Sequence, residues 1–179
     1  RLSGTSMACP NLAGLVLILK QYVVEKFPEI AEDDTKVTAL VYQLLMCTAD
    51  IALSTNGLPY AVRKQGAGLA NLEKALATTA YISTKDAEGN EMDKAKIELG
   101  DDPKKTGKYE LKFTINNFGK KKLSYEVGTH IFTEGVSETK TNAGKTTVTE
   151  EAYILEGASF EVTKVENGKL SGNKVTVKR

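Results

Sequence analysis

The sequence predicts an α+β chain ordered by segment, with helices up to about residue 80 followed by an antiparallel β-sandwich over 81–179. Three observations predict it. Apolar residues recur at helical spacing before residue 80 and at every second position from Lys94 onward. Seven basic and seven acidic side chains fall in 1–80 and 17 and 16 in 81–179, so the charge density changes where the period does. Short strand candidates then follow one another without helical patterns between them, which favours a sandwich over βαβ units. No Gly-, Ser- or Pro-rich linker intervenes, and the two parts are expected to pack directly.

The first helix is expected from Ser6, near its N-cap, through an apolar stretch to about Lys26, with Pro10 early enough that one lost N–H matters little. Leu12, Leu15, Val16, Leu17, Ile18 and Leu19 cover nearly its whole circumference, as in a helix buried on all sides. The second helix starts at Asp33-Asp34-Thr35 and carries one stripe, Val37, Leu40, Val41, Leu44, Leu45 and Thr48. A short third helix follows Gly66 and Gly68, with Leu69, Leu72 and Leu76 as its stripe and an end near Thr78.

In the second part Tyr109, Leu111, Phe113 and Ile115 alternate with Glu110, Lys112 and Thr114. The turn Asn117 to Lys122 then leads into Leu123, Tyr125 and Val127. This predicts a hairpin whose apolar residues face the core and whose Glu110, Lys112, Ser124 and Glu126 face water. Further strand candidates are Ile97 with Leu99, His130–Thr133, Thr146–Glu150, Ala152–Leu155, Phe160–Val162, and Val175 with Val177. The last lies so near residue 179 that one sheet is expected to be incomplete.

Composition excludes several classes. A net charge of +1 lacks the basic excess of a nucleic-acid binder. The longest unbroken apolar run, Leu12 to Leu19, is eight residues, against about 20 for a membrane span, so no span is expected. Cys9 and Cys47 are too few for a disulfide scaffold and have no zinc-spaced partners; both read as small buried apolar residues. Gly66-x-Gly68 lacks the strand and third glycine of a dinucleotide site. Asp101-Asp102-Pro103 reads as a polar turn rather than a calcium loop, and Lys120-Lys121-Lys122 as a solvated hairpin tip.

Gly4-Thr5-Ser6-Met7-Ala8-Cys9-Pro10 carries the chemistry. A serine at a helix N-terminus has a free backbone N–H in a field that favours negative charge, so an oxyanion formed beside its hydroxyl is stabilised. The plain alternative is a capping serine. The full string, followed by Asn11-Leu12-Ala13-Gly14 and an apolar helix, closely resembles the nucleophile motif of subtilisin-like serine peptidases. Arg63 to Asn71, with Gly66-Ala67-Gly68-Leu69, resembles the segment that opens the last helix of that catalytic domain. The β-rich remainder is similar in position and strand content to the fibronectin type III-like domain of lactocepin-type cell-envelope proteinases.

That resemblance implies a helical C-terminal remnant of an α/β catalytic domain over 1–80 and a fibronectin type III-like sandwich over 81–179. It implies Ser6 as catalytic nucleophile and the Ser6 backbone N–H as an oxyanion donor. The family's chain order is Asp, His, Ser, which places the base, its orienting Asp and an oxyanion Asn before residue 1. The piece alone is therefore expected to be inactive. Asn11 stands where many relatives have His, a position outside the triad. The family implies a protein or peptide substrate, no cofactor or metal, and secretion or display at the cell surface. His130, the one histidine, reads as a strand residue and not as a substitute base. A rival reading makes 81–179 a non-catalytic module for substrate positioning, attachment or spacing. With its covering sheet absent, the first helix is expected to drive self-association through residues 1–50 or to leave that region partly disordered.

Overall fold

In the computed structural model, which describes residues 3–140 and 144–177, the chain forms two compact units. One groups Arg1–Ala49 with Ala70–Lys120, the other Asp50–Leu69 with Lys121–Lys178. The change of texture at residue 80 falls inside the first unit.

The first unit is built on α1 (Thr5–Lys26), α2 (Asp34–Thr48) and α4 (Leu72–Ala77), with the strand pair β1 (Ala80–Ser83) and β2 (Thr114–Asn117). Asp33 caps α2 by accepting a bond of 3.1 Å from the Lys36 N–H, and Asn71 caps α4 by accepting one of 3.0 Å from Lys74. Each side chain satisfies an otherwise unpaired donor at a helix start. The stripe read from the sequence makes the core. Val37, Leu40, Val41, Leu44 and Leu45 of α2 bury against Leu19 and Val23 of α1 and Ala75 of α4. Phe27 meets Phe118 edge to face at 5.1 Å.

Two expectations about these helices are corrected. Leu69 precedes α4 and is exposed, because its backbone is paired to Asp50; Ala75 takes the core position instead. Cys9 is exposed, while Cys47 is partly buried and its Sγ accepts a 3.2 Å bond from the Ile82 N–H of β1. Burial pushes the Cys47 thiol pKa up.

α1 buries only one stripe. Leu17 is 68% exposed and Ile18 51%, so that side of the helix is uncovered among the described residues. By length and composition α1 is also apolar enough to cross a membrane, with a mean hydropathy of 1.5 over 18 residues. Single polar residues interrupt the helix, so its longest unbroken apolar run stays at eight. A core helix passes the same test, and Lys20 here pairs with Asp34 of α2.

The predicted hairpin is not formed. β2 pairs antiparallel with β1, Ala80 opposite Asn117 and Ser83 opposite Thr114. The Phe118 N–H donates to the Thr79 carbonyl at 3.0 Å, and a Cβ at Gly119 would lie 2.8 Å from that of Thr79. The Asn117–Gly119 turn is thus committed to the start of β1. Tyr109, Leu111 and Phe113 lie outside any strand and are exposed, with no partner strand to make their alternation a buried face. Glu110 and Lys112 are exposed as expected and pair with each other at 3.1 Å. Asp102 does form a turn, its Oδ2 accepting from the Gly107 N–H at 2.7 Å.

The second unit holds β3 (Leu123–Glu126), β4 (Phe132–Lys140), β5 (Thr146–Ile154), β6 (Gly168–Ser171) and β7 (Lys174–Val177). All its pairings are antiparallel. The order β3-β7-β6 places the last strand in the middle, with Val175 buried between Tyr125 and Leu170. Leu123 and Val127 are half-buried, but Tyr125 is 38% exposed. β4 and β5 form a separate nine-residue hairpin, Phe132 opposite Ile154 and Lys140 opposite Thr146. The Tyr153 ring packs over Gly135, 2.5 Å from where a Cβ would stand, so a larger residue there would displace the ring. Ile97, Leu99 and Phe160–Val162 are not strands. The seven strands among the described residues form sheets of two, three and two strands.

The same unit contains α3 (Val62–Gln65), whose Arg63 and Lys64 face two carboxylates of the β4–β5 hairpin. Lys64, then Arg63, hold the Glu150 carboxyl below its usual range. A depressed carboxyl pKa contributes stability above the unfolded value, about 4.3, and loses it as pH falls through the folded value. Thermal unfolding followed by circular dichroism should therefore show a larger fall in Tm between about pH 5 and pH 3 for the wild type than for Glu150→Gln. Equal falls would show that the pairing contributes nothing.

Candidate active site

Ser6 stands in the first turn of α1, at the second helical position. The N-cap is Gly4, and no side chain caps the helix. The Met7 and Ala8 N–H groups both donate to the Gly4 carbonyl, at 3.0 and 3.2 Å. The N–H groups of Thr5 and Ser6 precede the first residues that find an acceptor in the turn, as the geometry of a helix start requires. Ser6 is exposed. Capping does not account for it, because that position belongs to Gly4.

The electrostatics of this terminus differ from those of α2 and α4 and match those of the single-turn α3, which also lacks a first-turn acid and a side-chain cap. α2 has Asp33 as cap and Asp34 in its first turn, and α4 has Asn71 and Glu73. α1 has no acid in its first turn. The positive end of its dipole is thus left for a charge that the helix does not itself carry. Pro10 adds a second local effect. It cannot donate to the Ser6 carbonyl one turn back, while the Asn11 side chain donates to the Met7 carbonyl at 3.1 Å. Asn11, after the motif's proline, therefore folds back on the helix.

The second motif segment, Arg63 to Asn71, has backbone requirements of its own. Gly66 ends α3 at φ 60. Gly68, at φ 125, lies so close to Asp50 that a Cβ would stand 2.3 Å from its carbonyl oxygen. Asp50 and Leu69 exchange backbone bonds of 2.9 and 2.8 Å beside it. Asn71 then caps α4.

His130 belongs to the second unit and is exposed. Among the described residues no three His, Cys, Asp or Glu side chains are placed to hold a metal ion.

No family model matches the chain. Known proteins do. The chain is similar to C5a peptidases. That of Streptococcus pyogenes serotype M18 (strain MGAS8232) is 32% identical over 119 residues, 65% of this chain and 9% of that protein. Another from Streptococcus pyogenes is 30% identical over 118 residues, with the same coverage. The C5a peptidase of serotype M6 (strain ATCC BAA-946 / MGAS10394) is 32% identical over 87 residues, 48% of this chain and 7% of its own length. The chain is thus homologous to part of these peptidases and spans less than a tenth of their length.

Gly68→Ala should lower stability by more than about 1 kcal/mol, since both its φ and the Asp50 carbonyl oppose a methyl group. Urea unfolding measures it, and an unchanged midpoint would mean that the Asp50–Leu69 closure is dispensable.

Proposed function

We propose that this chain is part of a subtilisin-like serine endopeptidase of the lactocepin-type cell-envelope kind, with Ser6 as its nucleophile. The observation that carries the reading is an exposed serine, relieved of capping duty, at a helix N-terminus free of acids, inside the string Gly4 to Pro10. Similarity to proteins named as peptidases supports it independently. Residues 1–80 belong to the catalytic domain in this reading, and 81–179 form a fibronectin type III-like module. The intact protein is secreted or held at the cell surface.

The chemistry follows from where Ser6 sits. Its Oγ attacks the scissile carbonyl carbon while a His upstream of Ser6, oriented by an upstream Asp, takes the hydroxyl proton. Negative charge then develops on the carbonyl oxygen. The Ser6 N–H donates to it, in the field of a helix start, together with an Asn also supplied upstream. Collapse expels the amine, which leaves with the proton held by the His, and water hydrolyses the acyl-enzyme by the same steps in reverse roles. Neither metal nor cofactor enters. The substrate is a protein or peptide; nucleic acid plays no part.

In this reading α1 is a core helix rather than a membrane span, with the Lys20–Asp34 pair and the fully buried Leu19 and Val23 in support. Its remaining apolar face, with Leu17, Ile18 and Val24, is covered by other parts of the catalytic domain. Burial of each such side chain is worth about 1.5–3 kcal/mol.

Two outcomes are expected. A fluorophosphonate probe should label Ser6 in the intact protein but not in these 179 residues. In subtilisin, loss of either the Ser or the His costs about 2 × 10⁶ in kcat. Stoichiometric labelling of the 179-residue chain would mean that its base lies within it. In light scattering the same chain should exceed monomer mass through residues 1–50, and Leu17→Glu with Ile18→Glu should restore the monomer. A monomeric wild type would show that local packing suffices.

A further inference from the structure

The segment Asp50–Leu69 is an arm closed on itself. Its neck is the paired Asp50 and Leu69 backbone. Inside it the Tyr60 N–H donates to Ala52 at 3.1 Å, the Ser54 N–H to Leu58 at 2.8 Å, and the Ala52 N–H to the Gln65 side chain at 2.8 Å. A loop whose own polar groups are paired in this way presents its remaining side chains as a unit.

Those side chains meet one face of the β4–β5 hairpin. Arg63 Nε lies 2.7 Å from Glu134 Oε2, and Arg63 Nη2 lies 3.1 Å from Glu150 Oε2. Lys64 Nζ lies 2.8 Å from Glu150 Oε2 and 3.6 Å from Glu134 Oε1. At the other end of the arm, Asn56 Nδ2 donates to the Ala152 carbonyl at 2.8 Å. Glu134 is opposite Ala152 in the ladder and Glu150 is two residues from it, so these groups share a face. Ala152 is only 6% exposed. Two cations against two carboxylates, each bridging both, constrain the arm's position more than an isolated surface pair would.

We propose that the β4–β5 hairpin is the receptor for this arm, held by the Arg63–Lys64/Glu134–Glu150 cluster and released as the cluster is screened or neutralised. On the reading of Ser6 given above, the arm lies between two catalytic-domain segments of the chain. The β-rich part then braces this arm, and is neither a spacer nor an attachment module alone. Cutting at residue 80 would free the arm, so a truncated enzyme would lose more than a substrate-positioning surface.

Hydrogen exchange on the full 179-residue chain tests this without using activity, so a failed peptidase assignment and a failed docking assignment remain distinct. Glu134→Gln with Glu150→Gln should raise exchange at the Asn56 side-chain amide, which donates across the interface to the Ala152 carbonyl, about tenfold and leave the backbone amides of β3, β6 and β7 unchanged. Reversing all four charges, with R63E, K64E, E134K and E150K, should restore protection. Raising salt from about 0.05 to 1 M, which shortens the screening length severalfold, should open the wild-type arm in the same place. The salt series decides the matter if a variant does not fold. Arm protection unchanged both by the double substitution and by salt overturns the proposal, as does a charge reversal that folds but leaves the arm as open as the double substitution does.

Discussion

The first unit depends on the seam between α1 and α2. Leu19 and Val23 are fully buried there, against Val37, Val41 and Leu44. At about 1.5–3 kcal/mol for each buried aliphatic side chain, this seam supplies a large share of what a domain of this size has. It fixes the axis of α1 over its second half. The first half, with Ser6 at its tip, is carried on that anchored half as an extension of a rigid rod. Order at the candidate nucleophile is therefore inherited from contacts about three to five turns away.

The start of the same rod differs from the starts of α2 and α4. Helix starts are ordinarily satisfied by a side-chain acceptor and an acid, as α2 and α4 are. α1 has neither, and its Gly4 cap accepts backbone bonds without offering a side chain. A helix stabilised by packing can tolerate an uncompensated end, because little of its stability comes from that end. The unsatisfied donors are then open to an external acceptor.

What was legible in the sequence follows this division. The extent of α1, the Asp33 cap and the α2 stripe could be read because local chemistry and periodicity act within a few residues. The edge of the third helix could not: Leu69 fits the spacing, but pairing to Asp50 removes it from the stripe. Alternation at Tyr109 to Ile115 was read as a strand face, yet alternation says which residues share a side and not whether a neighbour exists. β1 is not legible because Ala80-Tyr81-Ile82 are three apolar residues in a row and show no alternation. Nor is β6, because Gly168–Ser171 has only Leu170 as an apolar mark. The resemblance at Gly4 to Pro10 was sharper than anything periodicity gave, since it rests on identity at consecutive positions. The ion cluster leaves no sequence signal, because its partners, such as Arg63 and Glu134 at 71 residues, are far apart in the chain.

That separation sets an order of events during synthesis. The arm emerges 71 residues before Glu134 and 96 before the Ala152 carbonyl that Asn56 contacts. At about 5–20 residues per second, it waits roughly 5–20 s for its receptor. Throughout that interval its cationic pair has no carboxylate partner on the hairpin. A ribosome-bound chain of this kind holds its helical seam early and completes its second unit last, so the most vulnerable nascent species ends just short of residue 150.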